Sequence, residues 1–366
     1  MENNRIRIAI TQGDTNGVGY EIIFKALGDS NLLDMFTPII YGSPKIASYH
    51  RKALGMEANF TIINNAEEAK DGVINLIPSF DYELKVELGK PSLDSGNAAI
   101  MALRRAAEDY KKGAYDALVT APLTSNGVFS FSGHTKYLED RLEEEGKGMT
   151  ILVGDPIRMA FVTENIPFKD VAETINKDLI KKKVTILNES LKRDFRISNP
   201  RIAVLALNPK AGSNGLVGSE EGDIIQPAVA ELYEEKIKVF GPYAADIFFG
   251  NSMFLQFDAV LAMYYDQGNI PFRTICGNTE ARLTTGLSLT RTTVCHDPLF
   301  TVAGKGNADE ESFRKAIYLA IDVCRNREEY DIPFANPLQK QYKEKRDESE
   351  KVRFNIPKKE DEDRNN

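Results

Sequence analysis

The chain has 366 residues, 42% of them apolar, and a formal net charge of −8 with acidic and basic side chains interspersed. That length allows two domains of ordinary size, or one large α/β domain with an insertion. The charge pattern, without a basic stripe, argues against a nucleic-acid partner, and no apolar run reaches membrane-spanning length.

Taken in chain order, short apolar runs alternate with helical patterns. Residues 6–11, 38–41, 117–121, 151–154, 158–163, 202–207 and 259–264 read as buried strands. A helix is predicted over residues 96–112, with Ala99, Ala102, Leu103, Ala106 and Tyr110 on one face. Another is predicted over 308–327, where Phe313, Ala316, Ile317, Ala320, Ile321 and Cys324 form one stripe between acids in the first turn and arginines in the last. This alternation predicts an α/β fold with a largely parallel sheet. From about residue 339 onward the chain is almost wholly polar or charged and is expected to stay unfolded. The start of the chain runs into a strand without a signal-peptide pattern, and Cys276, Cys295 and Cys324 show no metal-type spacing, so a reducing, cytoplasmic setting is expected.

Several motifs carry chemistry. Gly13-Asp14-Thr15-Asn16-Gly17-Val18-Gly19-Tyr20-Glu21 follows the first strand and opens a helix, but it is not the glycine pattern of a Rossmann dinucleotide site. His134 and Thr135 open a helix at Gly133-His134-Thr135-Lys136. There they either bind a phosphate or carboxylate, or serve as a cap with a surface histidine. Arg273, Arg282 and Arg291 follow a strand at spacings that suit anion capture, the alternative being three solvated arginines. Gly212, Gly215 and Gly218 make a glycine-rich loop after residues 202–207.

Together with Thr163-Glu164-Asn165-Ile166-Pro167, Leu207-Asn208-Pro209-Lys210-Ala211-Gly212, Gly241-Pro242-Tyr243-Ala244-Ala245-Asp246 and Tyr264-Tyr265-Asp266-Gln267-Gly268, these motifs fall in one order. That order resembles the 4-hydroxythreonine-4-phosphate dehydrogenase (PdxA) family over about residues 5–335. The resemblance implies a two-domain isocitrate/isopropylmalate dehydrogenase-like fold with a cleft between the domains. The first α/β domain would comprise residues 1–128 and 281–337 and hold both chain ends, the second residues 129–280, and residues 338–366 would be a charged tail. It also implies an NAD (or NADP) cofactor seated by Gly212, Gly215 and Gly218, and a small phosphorylated substrate contacted by His134 and Thr135. Arg273, Arg282 and Arg291 would take the substrate's phosphate end. The implied assembly is a homodimer in which Asp246 is lent to the neighbouring subunit's site.

The chain departs from the family where the metal binds. Asn165, Lys210 and Tyr265 stand at positions that are histidines in the family, and Thr124-Ser125 stands where the family has Asn-Lys. The three histidines of the chain are His50, His134 and His296. Amide, ammonium and phenol do not replace imidazole on zinc, so a divalent metal is expected to be absent, a site built on Asp246 and Asp266 being the alternative. Lys210 then either supplies the positive charge that the metal supplies in the family, with Tyr265 as its acid–base partner beside Asp246 and Asp266, or fills space in a site that no longer catalyses. Two functions follow: a dehydrogenase with an altered metal site, or a non-catalytic relative that binds an anionic ligand or a partner subunit.

Overall fold

The computed structural model describes residues 5–123, 133–277 and 280–335. Thr124, Ser125 and the charged tail at 338–366 lie outside them. The strands are β1 (Arg7–Thr11), β2 (Thr37–Gly42), β3 (Phe60–Ile62), β4 (Ile74–Pro78), β5 (Ala117–Thr120), β6 (Met149–Val153), β7 (Arg158–Thr163), β8 (Ile202–Leu205), β9 (Val239–Tyr243), β10 (Ala259–Tyr264), β11 (Ala281–Thr285) and β12 (Thr290–Val294). They join in one sheet in the order β3-β4-β2-β1-β5-β12-β11-β6-β7-β10-β8-β9.

Both faces of this sheet are covered, which is why its strands read as continuous apolar runs rather than alternating ones. On β1, Ile8 and Ile10 pack with Phe24, Phe313 and Ile317, while Ala9 faces the other way with Ile39, Leu103 and Leu118. On β10, Leu261 and Met263 face one apolar cluster and Val260 and Ala262 another. Burying each large side chain contributes about 1.5–3 kcal/mol.

The expected parallel sheet holds on either side of an antiparallel centre. Strands β3, β4, β2, β1, β5 and β12 pair in parallel, as do β7, β10, β8 and β9. Between the two blocks, β12–β11, β11–β6 and β6–β7 are antiparallel, so the blocks run in opposite directions. Central strands β11 and β12 are rich in threonine and carry Arg282 and Arg291, and they lack the apolar pattern that marks the other strands.

The last helix, Glu311–Ala335, begins three residues later than expected and runs past Arg327. Its apolar stripe at Phe313, Ala316, Ile317, Ala320 and Ile321 is buried. Near its far end, Arg327 Nε donates to buried Asp194 Oδ1 at 2.6 Å, and Asp194 also accepts from the Ser190 and Thr285 hydroxyls at 2.6 and 2.7 Å. Arg193 and Arg196 add pairs to Asp331 and Glu329. This network ties the last helix to the helix Lys177–Arg193, against the other block of the sheet.

The glycine motif after β1 is a packing turn. Gly13 has φ +69°, and a Cβ there would lie 2.5 Å from the Pro122 carbonyl oxygen. Tyr20 is buried; it donates to Gln12 Oε1 at 2.8 Å and accepts from the Ser43 amide at 2.9 Å. Among the described residues, no helix is long and apolar enough to cross a membrane.

Candidate active site

Thr163 on β7 pairs with Tyr264 on β10, and Val204 on β8 pairs with Leu261 on β10. Glu164 and Asn165, Tyr265, and Lys210 are therefore the residues that follow three adjoining parallel strands. A cavity of about 670 Å³ lies beside the central strands. Of the expected residues, His134, Thr135, Asn165, Tyr265, Arg282 and Arg291 line it.

Each is placed by its element. The helix His134–Leu142 begins at Gly133, with φ +91° and no side-chain cap among the described residues. Thr135 Oγ1 lies 3.5 Å from both Thr150 Oγ1 and Thr284 Oγ1. Arg291, 4% exposed, donates to Thr120 Oγ1 at 2.6 and 3.1 Å and to Thr284 Oγ1 at 3.1 Å. Arg282 Nη2 donates to the Tyr265 hydroxyl at 2.7 Å, and its Nε is buried with no hydrogen-bond partner among the described residues. The Tyr265 ring packs on Phe161, 5.1 Å between centroids.

Burial pushes His134 well below the ordinary histidine range, and the Arg291 and Arg282 charges push the same way. Burial and Arg282 also lower Arg291. Two guanidinium groups with no carboxylate bonded to them among the described residues, set near a helix N-terminus, form a site whose electrostatics call for an anion.

Glu164 and Lys183 are charged lining residues that the sequence reading did not single out. Glu164 is pushed up by burial, against Lys183, Thr150 and Arg282, which favour its ionised form. Lys183 is pushed down by burial and held up by Glu164 and Glu139. Lys183 sits in the run Lys181-Lys182-Lys183, which reads as a solvated helix face. The one available signal was that Glu164 directly precedes Asn165.

The other expected residues lie elsewhere. Arg273 lines a neighbouring cavity of about 250 Å³, where it donates to the Cys295 carbonyl and lies 3.9 Å from Glu280. Lys210, Asp246 and Asp266 are exposed and do not line this cavity. The cation found at the Tyr265 hydroxyl is Arg282 rather than Lys210.

The chemistry of Asn165, Lys210 and Tyr265 does not fit a transition metal: none of the three is an imidazole, thiolate or carboxylate. Among the described residues, no three His, Cys, Asp or Glu side chains come together as a metal site would need. The loop after β8, where the family resemblance would seat a dinucleotide, has an unusual main chain. Lys210, Ala211, Gly212, Ser213 and Asn214 are all left-handed, with φ from 45° to 73°. Behind them Glu221 accepts from the Asn208 amide at 2.7 Å, and a Cβ at Gly218 would run into the Asn208 side chain at 2.4 Å. Gly215 has open space around it, and Leu216 is 88% exposed beside it, giving an apolar surface next to accessible main chain.

The family model described as pyridoxal phosphate biosynthetic protein PdxA matches residues 34–320. A 4-hydroxythreonine-4-phosphate dehydrogenase of Bacteroides thetaiotaomicron is 50% identical over 358 residues, 97% of this chain and 98% of that one. A protein of the same name from Sulfurihydrogenibium sp. is 36% identical over 326 residues, 88% of this chain and 99% of that one. The crystal structure of a 4-hydroxythreonine-4-phosphate dehydrogenase from Burkholderia phymatum superposes with a TM-score of 0.72 at 33% identity, covering 88% of this chain and 99% of that one.

Proposed function

The chain belongs to the PdxA family, and from that premise we propose that it is an NAD-dependent dehydrogenase of 4-hydroxythreonine 4-phosphate that works without a resident transition metal. The observation that carries this reading is the anion subsite, in which Arg291, Arg282, His134 and Thr135 line one cavity near a helix N-terminus. A phosphate there would receive charge-assisted donors from both arginines and amides from the helix.

The loop that contains Gly212, Gly215 and Gly218 would hold NAD, which would supply the hydride acceptor. The remaining work falls to side chains. Acting as general base, the Tyr265 oxygen, which accepts the Arg282 hydrogen bond, takes the proton from the reacting hydroxyl as the carbon loses its hydride. Arg282 stays beside the oxygen that carries developing negative charge, and Lys210 approaches from the loop. The keto acid so formed loses carbon dioxide, and the electron pair of the broken C–C bond goes to the enolate oxygen.

We also read the chain as two lobes, residues 1–128 with 281–337 and residues 129–280. The assembly is a homodimer in which Asp246 reaches the partner's cavity with Asp266 at its rim. Support comes from exposed Ile247 and Leu255 close to Asp246 in the chain, and from β9, which is the last strand of the sheet. The test of function is NADH formation when purified protein receives NAD and 4-hydroxythreonine 4-phosphate. Binding of both without NADH would instead support a non-catalytic anion-binding relative, a reading favoured by the missing imidazoles.

A further inference from the structure

The main cavity is lined by more cations than an anion subsite requires, and its carboxylates differ in how they are used. Glu139 is committed, since its Oε1 accepts from the Gly148 amide at 2.7 Å. Asp297 is exposed at the rim. Glu164 is partly buried and, among the described residues, makes no salt bridge. Among the cations, Lys136 is taken by Asp140 at 3.0 Å and Glu145 at 3.1 Å. Lys182 and Lys183 both line the cavity and lack a salt bridge among the described residues; Lys182 is exposed, whereas Lys183 is partly buried. Glu164 and Lys183 influence each other electrostatically without closing an ion pair.

Their place relative to the anion subsite can be followed through the threonines. Arg291 bonds Thr284, which lies 3.5 Å from Thr135, and Thr135 lies 3.5 Å from Thr150. Thr150 in turn supports the Glu164 carboxylate. Along this series of contacts the cavity runs from Arg291 to a carboxylate and an ammonium that make no salt bridge among the described residues. A ligand with phosphate at one end and a zwitterion at the other has matching charges at both.

We propose that Glu164 and Lys183 form the subsite for the α-amino-acid end of the substrate, Glu164 taking the ammonium and Lys183 the carboxylate. This rests on the proposed function and adds to it a basis for choosing the amino acid over a hydroxy acid. An ammonium on Glu164 gains a charge-assisted hydrogen bond and offsets a carboxylate that the empty cavity leaves poorly solvated. A hydroxyl in its place supplies a weaker donor and no charge.

The experiment is titration calorimetry on the full chain with three probes: 4-hydroxythreonine 4-phosphate, its analogue with a hydroxyl replacing the ammonium, and inorganic phosphate. Wild type should prefer the amino compound by about tenfold or more, the usual worth of a hydrogen bond to a charged group. Glu164→Gln should lose that preference and bind inorganic phosphate unchanged. Lys183→Met should weaken both organic probes alike, again sparing phosphate. Glu164→Asp, which keeps the charge, should retain part of the preference and serves if the glutamine variant does not fold. A glutamine variant that keeps the preference overturns the proposal, as does one that weakens both organic probes equally; either leaves the dehydrogenase reading standing. Wild type that binds none of the three overturns the dehydrogenase reading and the proposal with it.

Discussion

Arg282 donates a 2.7 Å hydrogen bond to the hydroxyl of Tyr265. The guanidinium is fixed on β11 and the phenol at the start of the helix Tyr265–Cys276, so both groups are held by regular structure. A positioned cation beside a proton-accepting oxygen is a workable replacement for a Lewis acid.

Tyr265→Phe removes the oxygen and keeps the ring that packs on Phe161. Turnover should fall by about 10²–10⁴, the usual worth of a positioned acid–base group. Binding of inorganic phosphate, followed by calorimetry, should not change.

Anion binding should couple to His134. In the free protein its folded value lies well below the ordinary 6.5, through burial and the Arg291 and Arg282 charges, so the neutral form is favoured. A bound anion offsets those charges and raises it, so binding takes up a proton. Sulfate affinity should therefore strengthen as pH falls through about 6.5 and below. Without anion, the depressed histidine has the opposite effect on stability: its contribution is complete above about pH 6.5 and is lost as pH falls toward the folded value. His134→Asn should flatten the sulfate dependence. Melting curves with and without sulfate across pH 5–8 check both signs.

Much of the frame was legible because buried strands and amphipathic helices each leave a periodic apolar trace. The runs that became β1, β2, β5, β7, β8 and β10 were visible in that way, as was the stripe from Phe313 to Ile321. Strands β11 and β12 were not, because Ala281–Thr285 and Thr290–Val294 place threonine and arginine in the interior to line a cavity, and polar strands leave no apolar trace. Local motifs pointed to His134, Thr135, Arg282 and Arg291. They could not place Glu164 or Lys183, whose proximity depends on how β7 and the helix Lys177–Arg193 pack. Arg273 had the right charge and spacing, yet its helix turns it toward Glu280.

The buried pair between Arg327 and Asp194 should matter far more than exposed pairs. Arg327→Met leaves Asp194 buried without its cation and should cost about 3–5 kcal/mol in denaturant unfolding. Lys45→Ala, which breaks a solvated pair with Glu83, should leave the unfolding midpoint nearly unchanged.

A dimer with a shared cavity should sediment as two chains at micromolar concentration. Ile247→Asp, placing charge beside Asp246 on the exposed face of that short helix, should shift the population toward monomer and lower activity in proportion. A wild-type monomer that turns over at full rate would contradict the shared site.

The central claim, hydride transfer without a resident transition metal, is tested most directly by NADH formation from 4-hydroxythreonine 4-phosphate using protein dialysed against EDTA. The account predicts the same rate before and after dialysis, with no gain on adding zinc or magnesium. Loss of activity on dialysis and its return with either ion would contradict it.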